Sequence, residues 1–161
     1  MGSEETRVPR NESPGEEELA ALARRLLGAN PTREDVVAAY AAALRATWAQ
    51  LAMLIGKEGA GAVFDRALQI AQAVVPAARA ITVGETAFDL HALTAGTGEG
   101  AGGAPNAPNA PDDALDALCR GCGEVVISLI GAGLYATILR GAARQLGAQA
   151  PPAPPAPQAP Q

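Results

Sequence analysis

A single histidine, His91, leaves this sequence little with which to move protons near neutral pH. Ser3 and Ser13 lie near the start and Ser128 inside an apolar run, so no Ser/His/Asp arrangement is supported. Asp89 and His91, two positions apart, would face different sides of a helix. Lysine is equally scarce: Lys57 is the only one, and 12 basic residues against 17 acidic give a net charge of −5. Residues 1–35 carry −3, residues 36–94 carry 0 and residues 95–161 carry −2. No segment has the basic excess that phosphate contacts require, which argues against nucleic acid and against an anionic membrane surface. The five aromatics and the 33 Leu, Ile, Val and Phe residues make for a modest core, because Ala, Gly and Pro supply 38, 18 and 13 of the 161 residues.

Long hydrophobic runs are missing as well. The longest uncharged stretch that could concern a membrane is residues 125–139, short of the ~20 apolar residues a spanning helix needs and interrupted by Ser128, Gly131 and Gly133. It reads as part of a buried helix pair, with a membrane-associated hairpin as the alternative. The polar start carries no apolar signal-type region, so the expected address is cytoplasmic.

What is present is helical periodicity between soft segments. Residues 1–12 are polar and aperiodic and are expected to be disordered. Ser13, Pro14 and Glu16 then predict a capped helix start, with Leu19, Leu22, Leu26 and Leu27 on its apolar face and Gly28 as its left-handed stop. Thr32 and Asp35 predict a second capped start. The stripe that follows is Val36/Val37, Tyr40, Leu44, Trp48, Leu51 and Leu54/Ile55. A break over Gly56, Gly59 and Gly61 leads to a helix presenting Val63, Phe64, Ala67, Leu68, Ile70, Ala71 and Val74, ended by Pro76. Residues 80–83 suit a short strand or an extended connection, and residues 86–93 one or two helical turns. Residues 95–111 form a Gly/Pro-rich linker. A fourth helix opens at Asp112 and Asp113 and presents Leu115, Leu118, Cys119, Cys122, Val125/Val126 and Leu129/Ile130. A fifth carries Leu134, Tyr135, Ile138, Leu139, Ala142 and Leu146 and closes at Gly147; residues 148–161 are a Pro/Ala-rich tail expected to be disordered.

One regularity organises these elements. Leu54-Ile55-Gly56 recurs 75 positions later as Leu129-Ile130-Gly131, and at that offset Leu51 meets Val126, Val63 meets Ile138 and Phe64 meets Leu139. Each half therefore reads as apolar helix, glycine turn, apolar helix, dividing the ordered chain into hairpin halves at 13–94 and 112–147. A glycine at each turn accepts the positive φ that a tight reversal demands. Leu54-Ile55-Gly56 with Gly59, Phe64 and Arg66-Ala67-Leu68, echoed in the second Leu-Ile-Gly, resembles small, uncharacterised bacterial helical proteins. That resemblance implies a fold and carries no activity. The predicted fold is all-α, a four- to five-helix bundle of two hairpins with disordered termini, whose structural residues are Gly56, Gly131, Trp48, Phe64, Leu54 and Leu129.

Candidate chemistry is thin. Cys119 and Cys122 form a C-x-x-C pair, but inside a helical apolar stripe and with no βαβ pattern around them. A zinc site needs four ligands, and beyond these two the chain offers only His91 and carboxylates. The pair is expected to act as small core hydrophobes. Gly98, Gly100 and Gly103 fit G-x-G-x-x-G in letters, yet the prolines that follow cannot open the helix a dinucleotide site requires. Glu85 and Asp89 read as a solvated face, and Arg66 and Arg140, at nearly matching places in the two halves, as helix-surface charges rather than an anion site. No catalytic residue and no cofactor is expected. The expected function is a non-enzymatic interaction or scaffolding module that self-associates or binds a protein partner. A second alternative, beside the membrane-associated hairpin, is a ligand, metal or redox sensor using Cys119, Cys122 and a cavity near Trp48, Tyr40 and Tyr135.

Overall fold

The computed structural model describes residues 15, 17–84, 88–90, 92–93 and 111–149. The fold is all-α with one minimal strand pair. In chain order come α1 (Glu18–Arg25), α2 (Arg33–Val74), a 3-10 turn (Pro76–Ala80), β1 (Thr82–Val83), β2 (Phe88–Asp89), α3 (Pro111–Ile130) and α4 (Ala132–Gln149).

Helix α1 starts later than its predicted cap. Glu17 holds the N-cap position without a side-chain bond, while Ser13, Pro14 and Glu16 lie outside the described residues. Gly28 is not its left-handed stop. The amides of Leu26 and Leu27 bond three residues back, tightening the last turn, and the positive φ falls on Asn30 at 63°. Asparagine tolerates that conformation because its short polar side chain compensates locally.

The Thr32 cap forms as its sequence predicts. The Asp35 amide donates to Thr32 Oγ1 at 3.2 Å, and the Thr32 amide donates to Asp35 Oδ2 at 2.8 Å. The Thr32 amide, and after it the Thr32 hydroxyl, which donates to the same Oδ2 at 2.8 Å, hold the Asp35 carboxyl below its ordinary range.

Only Gly56 breaks α2, with φ 80° and ψ 165°; Gly59 and Gly61 stay helical, so the predicted three-glycine break shrinks to one residue. The bend is sharp enough that Ile55 side-chain atoms lie 3.1–3.3 Å from where a Gly59 Cβ would stand. Helical neighbours four apart ordinarily keep their Cβ atoms about 5–6 Å apart. Gly59 therefore serves as the space into which Ile55 folds. Beyond the bend the chain doubles back: Tyr40, near the start of α2, bonds Asp116, and Val74 at its end lines a hollow with the same Asp116. The second arm ends at Val74 and Val75 turns extended, as a residue before proline must.

Each arm of α2 pairs with a helix from the other half of the chain. Gly121 of α3 sits on the second arm so closely that a Cβ would come 2.8 Å from the Ala67 carbonyl oxygen. Gly141 of α4 faces the first arm, where a Cβ would come 2.5 Å from Gln50 Oε1. Farther along the same pair, Arg45 and Ala46 share a hollow with Gln145 and Leu146, so α4 runs antiparallel to the first arm. Gly131, with φ 85°, turns the chain between α3 and α4. Leu44, Leu51, Phe64, Leu115, Leu118, Val126 and Tyr135 fill the core between these four rods. Leu19, Leu22 and Ala23 dock α1 onto it.

Two predicted boundaries need correction in the second half. Helix α4 passes through Gly147, whose backbone has no left-handed turn, and ends at Gln149. The 86–93 segment holds a strand at Phe88–Asp89 where helical turns are predicted, Val83 pairing with Phe88 and Thr82 with Asp89, and is helical at Ala92 and Leu93. Its anchor is Phe88, stacked on Phe64 with ring centroids 4.7 Å apart. The 95–110 portion of the linker and the tail after Gln149 lie outside the described residues.

Candidate interaction surface

The apolar stripes run past the core at one end of the bundle. Leu54 and Leu129, predicted as structural core positions, are 51% and 63% exposed, and Met53 beside them is 73% exposed. Ile55 and Leu134 add further exposed surface next to the two glycine turns. Both turns lie at this same end, since Ile55 and Ile130 line one open groove of about 660 Å³. The periodicity of a stripe records which side of a helix is apolar; it does not record where the neighbouring helices stop.

The groove lies between the second arm of α2 and the C-terminal half of α3. Ala62 and Ile70 contribute from one wall, Val125 and Leu129 from the other. One cation and one anion flank this apolar floor, Arg66 on the α2 wall and Glu124 on the α3 wall. Arg66 donates to Gln69 of its own helix at 3.4 Å. Arg140 donates to Thr137 on α4 and does not line the groove, so the groove does not unite the two arginines.

The other predicted structural positions separate cleanly from this surface. Phe64 and Trp48 are buried, and Gly56 and Gly131 both take the positive φ that their turns predict. Tyr40 and Tyr135 are also core residues, and with Trp48 they are packed away from the apolar groove.

Cys119 and Cys122 are free thiols, both fully buried on the core face of α3. Burial pushes both thiols up, and for Cys119 the neighbouring Cys122 and Asp116 push in the same direction. A thiol so placed stays protonated and out of reach of oxidants, the opposite of a reactive helix-terminus cysteine. Among the described residues no three His, Cys, Asp or Glu side chains come together as a metal site. His91, Glu85 and the glycines at 98, 100 and 103 lie outside the described residues.

Sequence reasoning missed Asp116. Its Oδ1 accepts a 2.6 Å hydrogen bond from the Tyr40 hydroxyl and its Oδ2 a 2.7 Å bond from Arg24, so one carboxylate ties α1, α2 and α3 together. Burial and this carboxylate push the Tyr40 phenol well above its ordinary value, while Asp116 raises the Arg24 guanidinium further. The one available signal was an acid embedded in the apolar stripe of α3, between Leu115 and Leu118.

Among the described residues no helix is long and apolar enough to cross a membrane. Compared with known proteins, the chain matches no family model, no curated protein and no solved structure.

Proposed function

We propose that this protein is a non-enzymatic helical interaction module that self-associates through the end of the bundle carrying the two glycine turns. The observation that carries the reading is the cluster of large apolar side chains left in solvent there, Met53, Leu54, Ile55, Leu129 and Leu134, bordering an apolar groove. Scattered exposed leucines are ordinary; a set gathered at one end beside a groove marks a surface that another surface covers. The buried thiols support a binding role over a redox one, because neither sulfur can be approached without opening the core. A cytoplasmic setting suits two free cysteines that have no need of a disulfide.

Light scattering coupled to size-exclusion chromatography tests the proposal. The expected wild-type species at micromolar concentration is a dimer or larger. Leu129→Glu and Met53→Glu, both at exposed positions, are expected to shift it to monomer while leaving the helical circular dichroism unchanged. A wild-type chain that stays monomeric at the highest soluble concentration sinks the reading.

A further inference from the structure

We infer that the groove between α2 and α3 receives a second copy of the same chain about a two-fold axis, with Arg66 of each protomer opposite the partner's Glu124. This rests on the self-association proposed above and goes further in naming the interface and its geometry.

The charges make the case. Among the described residues the ion pair within the chain is Arg24–Asp116, so the Arg66 and Glu124 side chains flank the groove without bridging it. A two-fold interface is isologous: whatever residue i meets on the partner, the partner's residue i meets here. A two-fold axis running along the groove lays each α2 wall on the partner's α3 wall and so sets each cation against an anion twice over. An alignment that laid matching walls on one another would set like charges together.

The wider charge balance points the same way. The chain as a whole is acidic, with a net charge of −5, which keeps most of its surface repelling a second copy. Around the glycine turns, Lys57, Arg66 and Arg140 offset Glu58, Asp65 and Glu124. This end is the neutral part of an acidic molecule, and it has no one-sign field with which to attract an acidic or basic partner.

Shape completes the match. Leu129 both lines the groove and projects from its rim, so the same residue is part of a socket and a knob. In the two-fold arrangement each Leu129 enters the apolar floor of the other copy, and the exposed side chain and the open groove cover one another.

Charge reversal with mixing provides the test. Arg66→Glu sets two carboxylates face to face at each contact, and Glu124→Arg sets two guanidinium groups face to face, each mismatch occurring twice per dimer. Each single variant is expected to raise the dimer dissociation constant by about tenfold or more in sedimentation equilibrium. An equimolar mixture of the two single variants is expected to recover the wild-type association, because both contacts of the mixed dimer join a carboxylate of one variant to a guanidinium of the other. The double variant, Arg66→Glu with Glu124→Arg, is expected to recover the wild-type constant, since both of its contacts again join opposite charges. Circular dichroism of each variant establishes that the helices are intact. A monomeric wild type overturns the self-association and this inference with it. A wild-type dimer that Leu129→Glu abolishes, but whose single charge variants stay unchanged or whose double variant fails to recover, overturns the two-fold pairing alone.

Discussion

Tyr40 and Asp116 stand 76 positions apart in the chain and are joined by a 2.6 Å hydrogen bond, the phenol donating to Oδ1. The second carboxylate oxygen accepts from Arg24 at 2.7 Å, but that guanidinium is on the surface, with the Arg24 side chain 56% exposed. The two contacts differ in environment, and so in worth. A hydrogen bond to a charged group in a partly buried site contributes about 1.5–3 kcal/mol, whereas an exposed ion pair contributes about 0–1 kcal/mol. Tyr40→Phe is therefore expected to lower stability by about 1.5–3 kcal/mol and Arg24→Ala by under about 1 kcal/mol. Asp116→Ala should exceed both, and a double-mutant cycle by urea denaturation should place the larger coupling on the tyrosine. Equal couplings would contradict this ordering.

The buried phenol and thiols make the fold sensitive to base. In the unfolded chain the cysteines lose protons near 9.0 and Tyr40 near 10.0, while in the folded chain burial raises all three. Above those ordinary values the unfolded state releases protons that the folded state keeps, so the equilibrium moves toward unfolding. Their contribution is complete below about pH 9 and is lost progressively as the pH rises toward their folded-state values. Cys119→Ala with Cys122→Ala is expected to cost about 1–3 kcal/mol at neutral pH, as small core truncations do, and to flatten the loss of stability between pH 9 and 10. Urea midpoints measured across this range check both halves. A thiol reagent should label the wild type no faster than it unfolds.

Gly56 and Gly131 have similar φ values, 80° and 85°, and at both a Cβ would meet nothing within 4 Å. An alanine there strains the backbone without its Cβ pressing on a neighbouring helix. Alanine is accordingly expected to cost about 1–3 kcal/mol at each site, and valine more, because a branched Cβ suits positive φ less. At Gly56 the ψ of 165° lies outside the left-handed helical basin, in a region open essentially to glycine alone. Gly56→Asn should therefore be no milder than Gly56→Ala. Thermal melts of the three substitutions decide the point, and a rescue by asparagine would contradict the conformation.

Gly121 and Gly61 are both helical, and their surroundings separate two roles for glycine. At Gly121 the Ala67 carbonyl oxygen would stand 2.8 Å from a Cβ, whereas around Gly61 there is open space. Gly121→Ala is expected to force α3 away from α2 and cost about 1–3 kcal/mol. Gly61→Ala should instead stabilise by about 0.5–1 kcal/mol, since alanine loses less backbone freedom on folding. Opposite signs in chemical denaturation are the expected result.

What could be read from the sequence is what neighbouring residues decide among themselves. The Thr32/Asp35 cap joins residues three apart, and the positive φ at Gly56 and Gly131 is a matter of one position. The exposed ends of the stripes were not legible at Leu54 and Leu129, because an apolar period is the same whether a neighbouring helix reaches that far or not. Asp116 was hidden for a different reason: its partners lie 76 and 92 positions away, and only the folded chain brings them to it. The pairing of Val83 with Phe88 was too short to show an alternating pattern, and the stack of Phe88 on Phe64 is long-range. The groove charges Arg66 and Glu124 were visible as charges, while their shared hollow depends on how α2 and α3 pack.

Helix α1 has eight residues, fewer than the ~12–15 an isolated helix needs to persist in water. It is helical because Leu19, Leu22 and Ala23 are seated in the core, so its folding and its docking are one event. Its amides should exchange with solvent through a partial opening that lifts α1 away and leaves the rest of the bundle closed. That opening takes Arg24 off Asp116 but leaves Tyr40 bonded to the other oxygen, so the carboxylate gains water on one side without losing its grip on α2. Two-point attachment gives the bundle a resting place short of unfolding.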